Sequence, residues 1–118
     1  MRNQPKYNFF KNTSYAIAGL KDIITTETSF KIELILMIIL LPVIYLVDIS
    51  LVEKSLLFIS LMGMLIAESI NSAIERVVDL VTLEYHEMAK KAKDVGSAIV
   101  FLSIIVFIVI WVTILWNI

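Results

Sequence analysis

Five polar side chains recur on one face of a predicted helix, directly after an apolar run. At about 100° per residue, four of them fall within roughly 60° of Glu68, namely Asn71, Ser72, Glu75 and Asp79. Because Glu68 follows the apolar run at once, we expect its carboxylate at a membrane boundary or just inside it. A carboxylate in that setting is suited to general base catalysis.

The same polar face also has a purely structural interpretation, because Asn and Ser side chains hydrogen-bond between helices in lipid. That interpretation accounts for Ser69, Asn71 and Ser72. It accounts less well for the three acidic groups, which repel one another unless a cation lies between them. Arg76 could be that cation, and a bound divalent metal is the other candidate. Both interpretations stay open from spacing alone.

Carboxylates elsewhere in the chain could join this face. Glu27 ends the predicted N-terminal helix and Glu33 opens the first span, so both could approach Glu75 near the cytoplasmic face of the membrane. Mg²⁺ takes oxygen ligands and commonly uses one or two carboxylates together with substrate phosphates. The pattern therefore predicts a carboxylate-lined site that a divalent metal could occupy.

A charged segment follows the polar face. It contains Glu84-Tyr85-His86-Glu87 and then Lys90, Lys91, Lys93 and Asp94. The single His could be a metal ligand, although a loop His is more often a hydrogen-bonding group. The lysines either mark the cytoplasmic boundary of a span or form a phosphate clamp.

The composition indicates the solvent for which this chain is built. Of 118 residues, 59% are apolar and 18% are charged, and the mean hydropathy is +0.90. A soluble domain of this length cannot bury that much apolar surface. The formal net charge of −1 provides no basic footprint for nucleic acid, and the lack of Cys excludes disulfides and thiolate chemistry. The N-terminal residues lack the continuous apolar core of a cleavable signal peptide.

Three apolar segments predict membrane-spanning helices. Val95–Trp116 holds 22 residues without a charge, enough to cross a bilayer, and Trp111 and Trp116 fit an interfacial belt at its far end. Leu34–Val47 and Ser55–Ala67 are shorter, so each must extend through polar residues. We therefore predict one all-α membrane domain over 1–118, with spans at about 30–48, 51–81 and 92–117, the second and third reaching into the cytoplasm.

The cations predict the orientation of these spans. Five precede the first span (Arg2, Lys6, Lys11, Lys21 and Lys31), one lies in the first turn (Lys54), and four lie between the second and third spans (Arg76, Lys90, Lys91 and Lys93). By the positive-inside rule, the N-terminus lies in the cytoplasm and the C-terminus outside.

Residues 6–27 predict an amphipathic surface helix. Phe10, Ile17, Leu20 and Ile24 share one helical face, and the segment is too polar to span a membrane. We expect this helix to lie in the membrane interface. The alternative is a solvent-facing helix that packs on the protein.

Common nucleotide and hydrolase signatures are missing from the sequence. It contains no G-x-x-x-x-G-K-[ST] loop, no G-x-G-x-x-G, no soluble-kinase signature and no G-x-S-x-G elbow. Residue spacing alone thus predicts a small three-span membrane protein with a carboxylate-lined site facing the cytoplasm.

A longer motif carries a resemblance. The run Ala67-Glu68-Ser69-Ile70-Asn71-Ser72-Ala73-Ile74-Glu75-Arg76-Val77-Val78-Asp79, with Glu84-Tyr85-His86 and Ala92-Lys93-Asp94, resembles the prokaryotic diacylglycerol kinase family. That family's form is E-x-x-N-[ST]-A-I-E-x-V-V-D, then E-Y-H and A-K-D, and the resemblance covers nearly the whole chain. It implies a homotrimeric bundle in the bacterial inner membrane. The implied activity transfers the ATP γ-phosphoryl group to a lipid hydroxyl, in phospholipid recycling.

The resemblance also implies roles for individual residues. Glu68 would be the general base, Asn71 would help position the site, and Glu27 and Glu75 would hold Mg²⁺ with ATP. The nucleotide site would be lined by Tyr15, Glu27, Glu75, Glu84, Tyr85, His86, Lys93 and Asp94. The lipid substrate would be bordered by Glu33, Asp48, Glu68, Ser97 and Trp111.

The family has a diacylglycerol branch and an undecaprenol branch. Glu33, Glu87 and Gly96-Ser97 resemble the diacylglycerol branch, which we expect here. Ile32 resembles the undecaprenol branch instead. Two further departures from the family pattern are Ile17, where a Trp is expected, and Asn8, where a substrate-contacting Arg is expected.

A non-enzymatic alternative is a small channel or assembly subunit with a polar helix interface. Such a protein would need carboxylates at mid-membrane that form a path between the two sides. The carboxylates of this chain are predicted to collect on the cytoplasmic side with Lys93 and His86, which favours a nucleotide site.

Overall fold

The computed structural model describes Asn3 and residues 5–118. These residues form four α-helices: α1 (Phe9–Thr26), α2 (Thr28–Leu46), α3 (Leu51–Val81) and α4 (Glu87–Trp116). The helices α2, α3 and α4 are each long and apolar enough to cross a membrane, which confirms the prediction of a multi-pass, all-α membrane protein.

Local signals in the sequence explain where these helices begin. Asn8 accepts a hydrogen bond from the Lys11 backbone amide at 3.1 Å and so caps α1. Ser50 and Glu53 form a reciprocal capping box at the start of α3. His86 caps α4, its Nδ1 accepting from the Met88 amide at 3.1 Å. The His86 side chain is therefore a hydrogen-bonding group at a helix N-terminus.

A single residue, Glu27, separates α1 from α2. Its backbone is extended, with φ −103° and ψ 111°, so the chain turns a corner between the two helices. Its amide still donates to Ile23 and closes α1, and its carbonyl accepts from Lys31 within α2. The side chain of Glu27 is thus presented at the junction between the N-terminal helix and the first span.

The core lies between α2, α3 and α4, with α3 in the middle. Leu57 and Leu61 of α3 are almost completely buried, and they pack in one cluster with Phe30 and Met37 of α2. α3 makes its most extensive contacts with α4 and the next most extensive with α2. Burying apolar side chains of the central helix against both neighbours fixes which face of α3 points inward.

Trp111 also belongs to this core, which corrects the prediction that it lies in an interfacial belt. The side chain is 7% exposed, and its Nε1 donates to Ser60 Oγ at 2.9 Å and to the Leu57 carbonyl at 3.3 Å. Trp116 remains 84% exposed. Five residues rotate a helix by about 140°, so the two Trp residues point to different sides of α4.

Candidate active site

The polar face of α3 passes from the core to the surface. Glu68, Asn71 and Ser72 are buried, Glu75 is half-buried and Asp79 is exposed. Asn71 is buried where α4 packs on this face at Gly96, and Ser72 is buried where it contacts Glu27. A methyl group at Gly96 would overlap the Asn71 side-chain oxygen, so glycine allows α4 to approach α3 closely at this point.

Three other carboxylates lie near enough to Glu68 to interact with its charge. Those of Glu75 and Glu27 lie close enough to repel the Glu68 charge, and Glu33 of α2 is a further acidic neighbour of Glu68. We call Glu27, Glu33, Glu68 and Glu75 the acidic cluster. Its members come from the α1–α2 corner, α2 and α3, so the fold assembles carboxylates that are up to 48 positions apart (75 minus 27) in the chain.

Glu27 is held in this cluster by two donors. Ser72 Oγ donates to Glu27 Oε1 at 2.7 Å, and Arg76 Nη2 donates to the same oxygen at 3.1 Å. The Ser72 hydroxyl and then the Arg76 guanidinium lower the pKa of Glu27 below its ordinary value. Glu27 therefore presents a charged carboxylate at neutral pH.

Two buried acceptor atoms of the site have no hydrogen-bond donor among the described residues. They are Glu33 Oε2 and Asn71 Oδ1. The Asn71 amide nitrogen does have a partner, since Nδ2 donates to Glu75 Oε1 at 3.3 Å. Buried acceptors are normally paired, so these two atoms are unsatisfied positions that a water molecule or another donor could fill.

A second group of polar residues lines a cavity of about 470 Å³ beside the acidic cluster, between the end of α3 and the start of α4. It includes five predicted nucleotide-site residues: Glu84, Tyr85, His86, Lys93 and Asp94. Lys93 Nζ contacts Asp79 Oδ1 at 2.7 Å, and it also interacts electrostatically with the carboxylate of Glu75. Lys93 is therefore the link between this cavity and the acidic cluster.

Other predicted residues lie apart from these two groups. Tyr15 is exposed on α1, and Ser97 is exposed on α4, next to Gly96. Trp111 contacts Ser60, about 12 Å along α3 from Glu68. Asp48 precedes α3, about 25 Å along the helix axis from Glu68, at the opposite end of the spans. Of the residues predicted to border the lipid substrate, Glu33 and Glu68 thus lie close together. Asp48 and Trp111 lie apart from them.

Sequence reasoning missed two contributors to the site. Asp22 pairs with Arg76 and ties α1 to α3, although nothing in the spacing of Asp22 links it to residues more than fifty positions away. Gly96 leaves room for the Asn71 side chain, whereas the sequence had marked Gly96 only through its resemblance to the diacylglycerol branch. Both contributions depend on how the helices cross.

Replacing Gly96 with Ala should displace the Asn71 side chain and break its hydrogen bond to Glu75. We expect unfolding free energy to fall by about 1–3 kcal/mol and turnover to fall by about tenfold. Thermal unfolding in detergent and steady-state assays measure the two effects. Gly63→Ala is the matched control, because a methyl group there meets nothing within 4 Å and should stabilise α3 by up to about 1 kcal/mol. If Gly96→Ala and Gly63→Ala had the same stability and turnover, the packing of Gly96 against Asn71 would be contradicted.

Fold and site together define a small multi-pass membrane protein with an acidic cluster at one end of its spans and a lysine-lined cavity beside it. The profile of the prokaryotic diacylglycerol kinase family matches residues 14–115. Diacylglycerol kinase from Pseudomonas aeruginosa is 42% identical over 103 residues, covering 87% of this chain and 84% of that protein. Diacylglycerol kinase from Escherichia coli K12 is 36% identical over 107 residues, covering 91% and 88%. Undecaprenol kinase from Bacillus subtilis is 35% identical over 92 residues, covering 78% and 75%.

The chain belongs to the prokaryotic diacylglycerol kinase family. It is therefore an enzyme, a kinase that phosphorylates a membrane lipid. The family resemblance inferred from the motif around Glu68 is confirmed.

Proposed function

We propose that this protein transfers the γ-phosphoryl group of ATP to the free hydroxyl of diacylglycerol and so produces phosphatidic acid. The observation that carries the proposal is the burial of Glu68 among other carboxylates, beside two acceptor atoms that lack donors. A lipid hydroxyl that stays at the membrane boundary is a donor of the required kind. The names of the relatives from P. aeruginosa and E. coli support this substrate.

Glu68 acts as the general base in this mechanism. Its carboxylate takes the proton of the lipid hydroxyl while the hydroxyl oxygen forms a bond to the γ-phosphorus. The bond from that phosphorus to the β–γ bridging oxygen breaks, and ADP leaves with the electron pair. Asn71 supports this step by holding Glu75 through its amide nitrogen.

The donor set of the acidic cluster fits Mg²⁺ that arrives with ATP. No group of three or more His, Cys, Asp or Glu side chains within the described part of the chain is arranged to hold a metal by itself. Glu27 and Glu75 supply hard carboxylate oxygens, and Mg²⁺ commonly uses one or two of these together with phosphate oxygens. When bound, the ion would neutralise charge that develops on the phosphates.

The cavity beside α4 is suited to the nucleotide. The ammonium group of Lys93 can exchange Asp79 for a phosphate, since both are anionic oxygen acceptors. Glu84, Tyr85, His86 and Asp94 line the same cavity. Tyr15 lies on α1, outside these lining residues, and would contribute to a nucleotide site only as part of an assembly.

The proposal includes a homotrimer in the bacterial inner membrane, with sites shared between subunits. Extensive apolar surface on α2 and α4 remains exposed in the single chain and supports contacts with lipid and with further copies. The apolar stripe of α1 is also exposed, with Phe10 at 82% and Ile17 at 61%, which supports a position in the membrane interface. The cation distribution supports a cytoplasmic N-terminus and an external C-terminus.

Undecaprenol is the second candidate substrate. The relative from B. subtilis carries that name, and Ile32 resembles the undecaprenol branch at a position next to Glu33. Ile32 is 62% exposed, so it is available to contact a lipid chain. Both candidates share the chemistry of a lipid alcohol at the membrane boundary.

In the deciding experiment, purified protein in mixed micelles is incubated with labelled ATP, Mg²⁺ and either diacylglycerol or undecaprenol. We expect label to enter diacylglycerol with the higher kcat/KM. Preferential labelling of undecaprenol would reassign the substrate. Absence of labelling with every lipid alcohol would contradict the kinase mechanism and favour a channel or assembly subunit.

A further inference from the structure

Arg76 joins α3 to the end of α1 through the two terminal nitrogens of its guanidinium group. One nitrogen, Nη1, contacts the carboxylate of Asp22. The other, Nη2, donates to Thr26 Oγ1 at 3.0 Å and to Glu27 Oε1 at 3.1 Å. The planar geometry of the guanidinium lets one side chain meet all three acceptors in fixed directions, which a lysine cannot do.

The orientation of Glu27 depends on such contacts because its own backbone does not impose it. Glu27 forms the one-residue corner between α1 and α2, and its side chain makes no hydrogen bond to the start of α2. No residue of α1 is buried, so apolar packing within the chain holds this helix only weakly. Polar contacts from Ser72 and Arg76 therefore determine where the Glu27 carboxylate points.

The two donors meet the same oxygen of Glu27. Ser72 and Arg76 both donate to Oε1, and no residue in the described part of the chain donates a hydrogen bond to Oε2. A carboxylate held by one oxygen keeps its second oxygen available for another ligand. This arrangement suits a residue that must meet a cation carried by a substrate.

We propose that Arg76 is a positioning residue for the kinase reaction, which uses Asp22 and Thr26 to hold its guanidinium against Glu27 and so directs Glu27 toward the metal–nucleotide substrate. This inference rests on the proposed function, in which Glu27 holds Mg²⁺ with ATP. It adds Arg76 and Asp22 to the residues on which that reaction depends.

A purely electrostatic role for Arg76 predicts a different outcome. A cation beside a metal-binding carboxylate repels Mg²⁺, so its removal would strengthen Mg²⁺ binding, whereas removal of the Asp22 charge would weaken it. If Arg76 instead positions Glu27, then loss of either Arg76 or Asp22 raises the Mg²⁺ concentration needed for half-maximal activity. The signs of the two effects therefore separate the two roles.

The test compares Arg76→Lys, Arg76→Ala and Asp22→Asn in mixed micelles containing diacylglycerol. We expect all three to raise the Mg²⁺ concentration for half-maximal activity, by about tenfold in Arg76→Ala, the size expected for one charged hydrogen bond. The value of kcat at saturating Mg²⁺ should stay within about threefold of the wild type. Arg76→Lys keeps the charge, so an effect in that variant isolates the loss of geometry.

Lys21→Ala is the matched control, since it removes an exposed cation next to Asp22 without touching the Arg76 contacts. A second measurement does not depend on activity. Hydrogen exchange at the Glu27 amide, which donates to the Ile23 carbonyl at 3.0 Å, should accelerate in the three variants and stay unchanged in Lys21→Ala. Unchanged exchange in the amides of α3 and α4 identifies variants that are folded.

Two results would overturn the inference. One is a lowered Mg²⁺ requirement in Arg76→Ala with a raised requirement in Asp22→Asn, which would assign an electrostatic role. The other is an active wild type with unchanged Mg²⁺ dependence and Glu27 exchange in all three variants. A wild type that phosphorylates no lipid would instead contradict the proposed function, and the exchange measurement would still decide whether Arg76 holds Glu27.

Discussion

Replacing Glu68 with Gln should lower kcat for lipid phosphorylation by about 10²- to 10⁴-fold, the usual worth of a general base. The amide keeps the size of the side chain but cannot accept the proton of the lipid hydroxyl. Glu68 is buried beside the carboxylates of Glu75 and Glu27. Neutralising it removes like-charge repulsion, so thermal stability in detergent should be unchanged or higher. Turnover close to that of the wild type would contradict the base assignment.

The matched control for this substitution is Glu53→Gln on the same helix. Glu53 lies at the opposite end of α3 in the capping box with Ser50, and Gln can replace Glu in that box. We therefore expect unchanged turnover and stability. Raising the Mg²⁺ concentration should not restore Glu68→Gln, because proton transfer and not metal binding is impaired.

Replacing Glu75 with Gln should lower the affinity of the enzyme for Mg²⁺, in contrast to the replacement of Glu68. The substitution removes one of the two carboxylates proposed to hold the ion, and metal affinity depends strongly on ligand charge. We expect the half-saturating Mg²⁺ concentration to rise by at least about tenfold. Gln can still accept the hydrogen bond that Asn71 donates to Glu75, so the local packing should persist.

Titration with Mg²⁺ at saturating ATP and lipid measures this effect, with Glu53→Gln again as the control. Partial recovery of activity at high Mg²⁺ is the expected signature and distinguishes Glu75 from Glu68. An activity loss that no Mg²⁺ concentration relieves, with unchanged Mg²⁺ dependence, would place Glu75 outside the metal-binding set.

The arrangement explains why a chain with so few polar residues can be a kinase. Phosphoryl transfer requires alignment and charge neutralisation more than covalent chemistry by the protein. Glu27, Glu68 and Glu75 lie close together, and Lys93 lies between them and the cavity beside α4. The spans are predominantly apolar and are available to keep a lipid substrate at the membrane boundary.

The three spans and the polar face of α3 could both be predicted from the amino-acid sequence. Span prediction works because the transfer of a helix into lipid depends on the composition of that segment alone. The face of Glu68, Asn71 and Glu75 follows from the helical period, which is a local property. The motif in this face was also sufficient to identify the family.

The contacts that hold distant residues against this face follow from the tertiary structure and not from the sequence pattern. Trp111 lies in the core because it finds acceptors on α3, and Gly96 matters because α4 crosses α3 at Asn71. Glu27 and Asp22 reach Ser72 and Arg76 because the chain turns a corner after α1. Contacts of this kind depend on the crossing of whole helices, which no local periodicity in the sequence encodes.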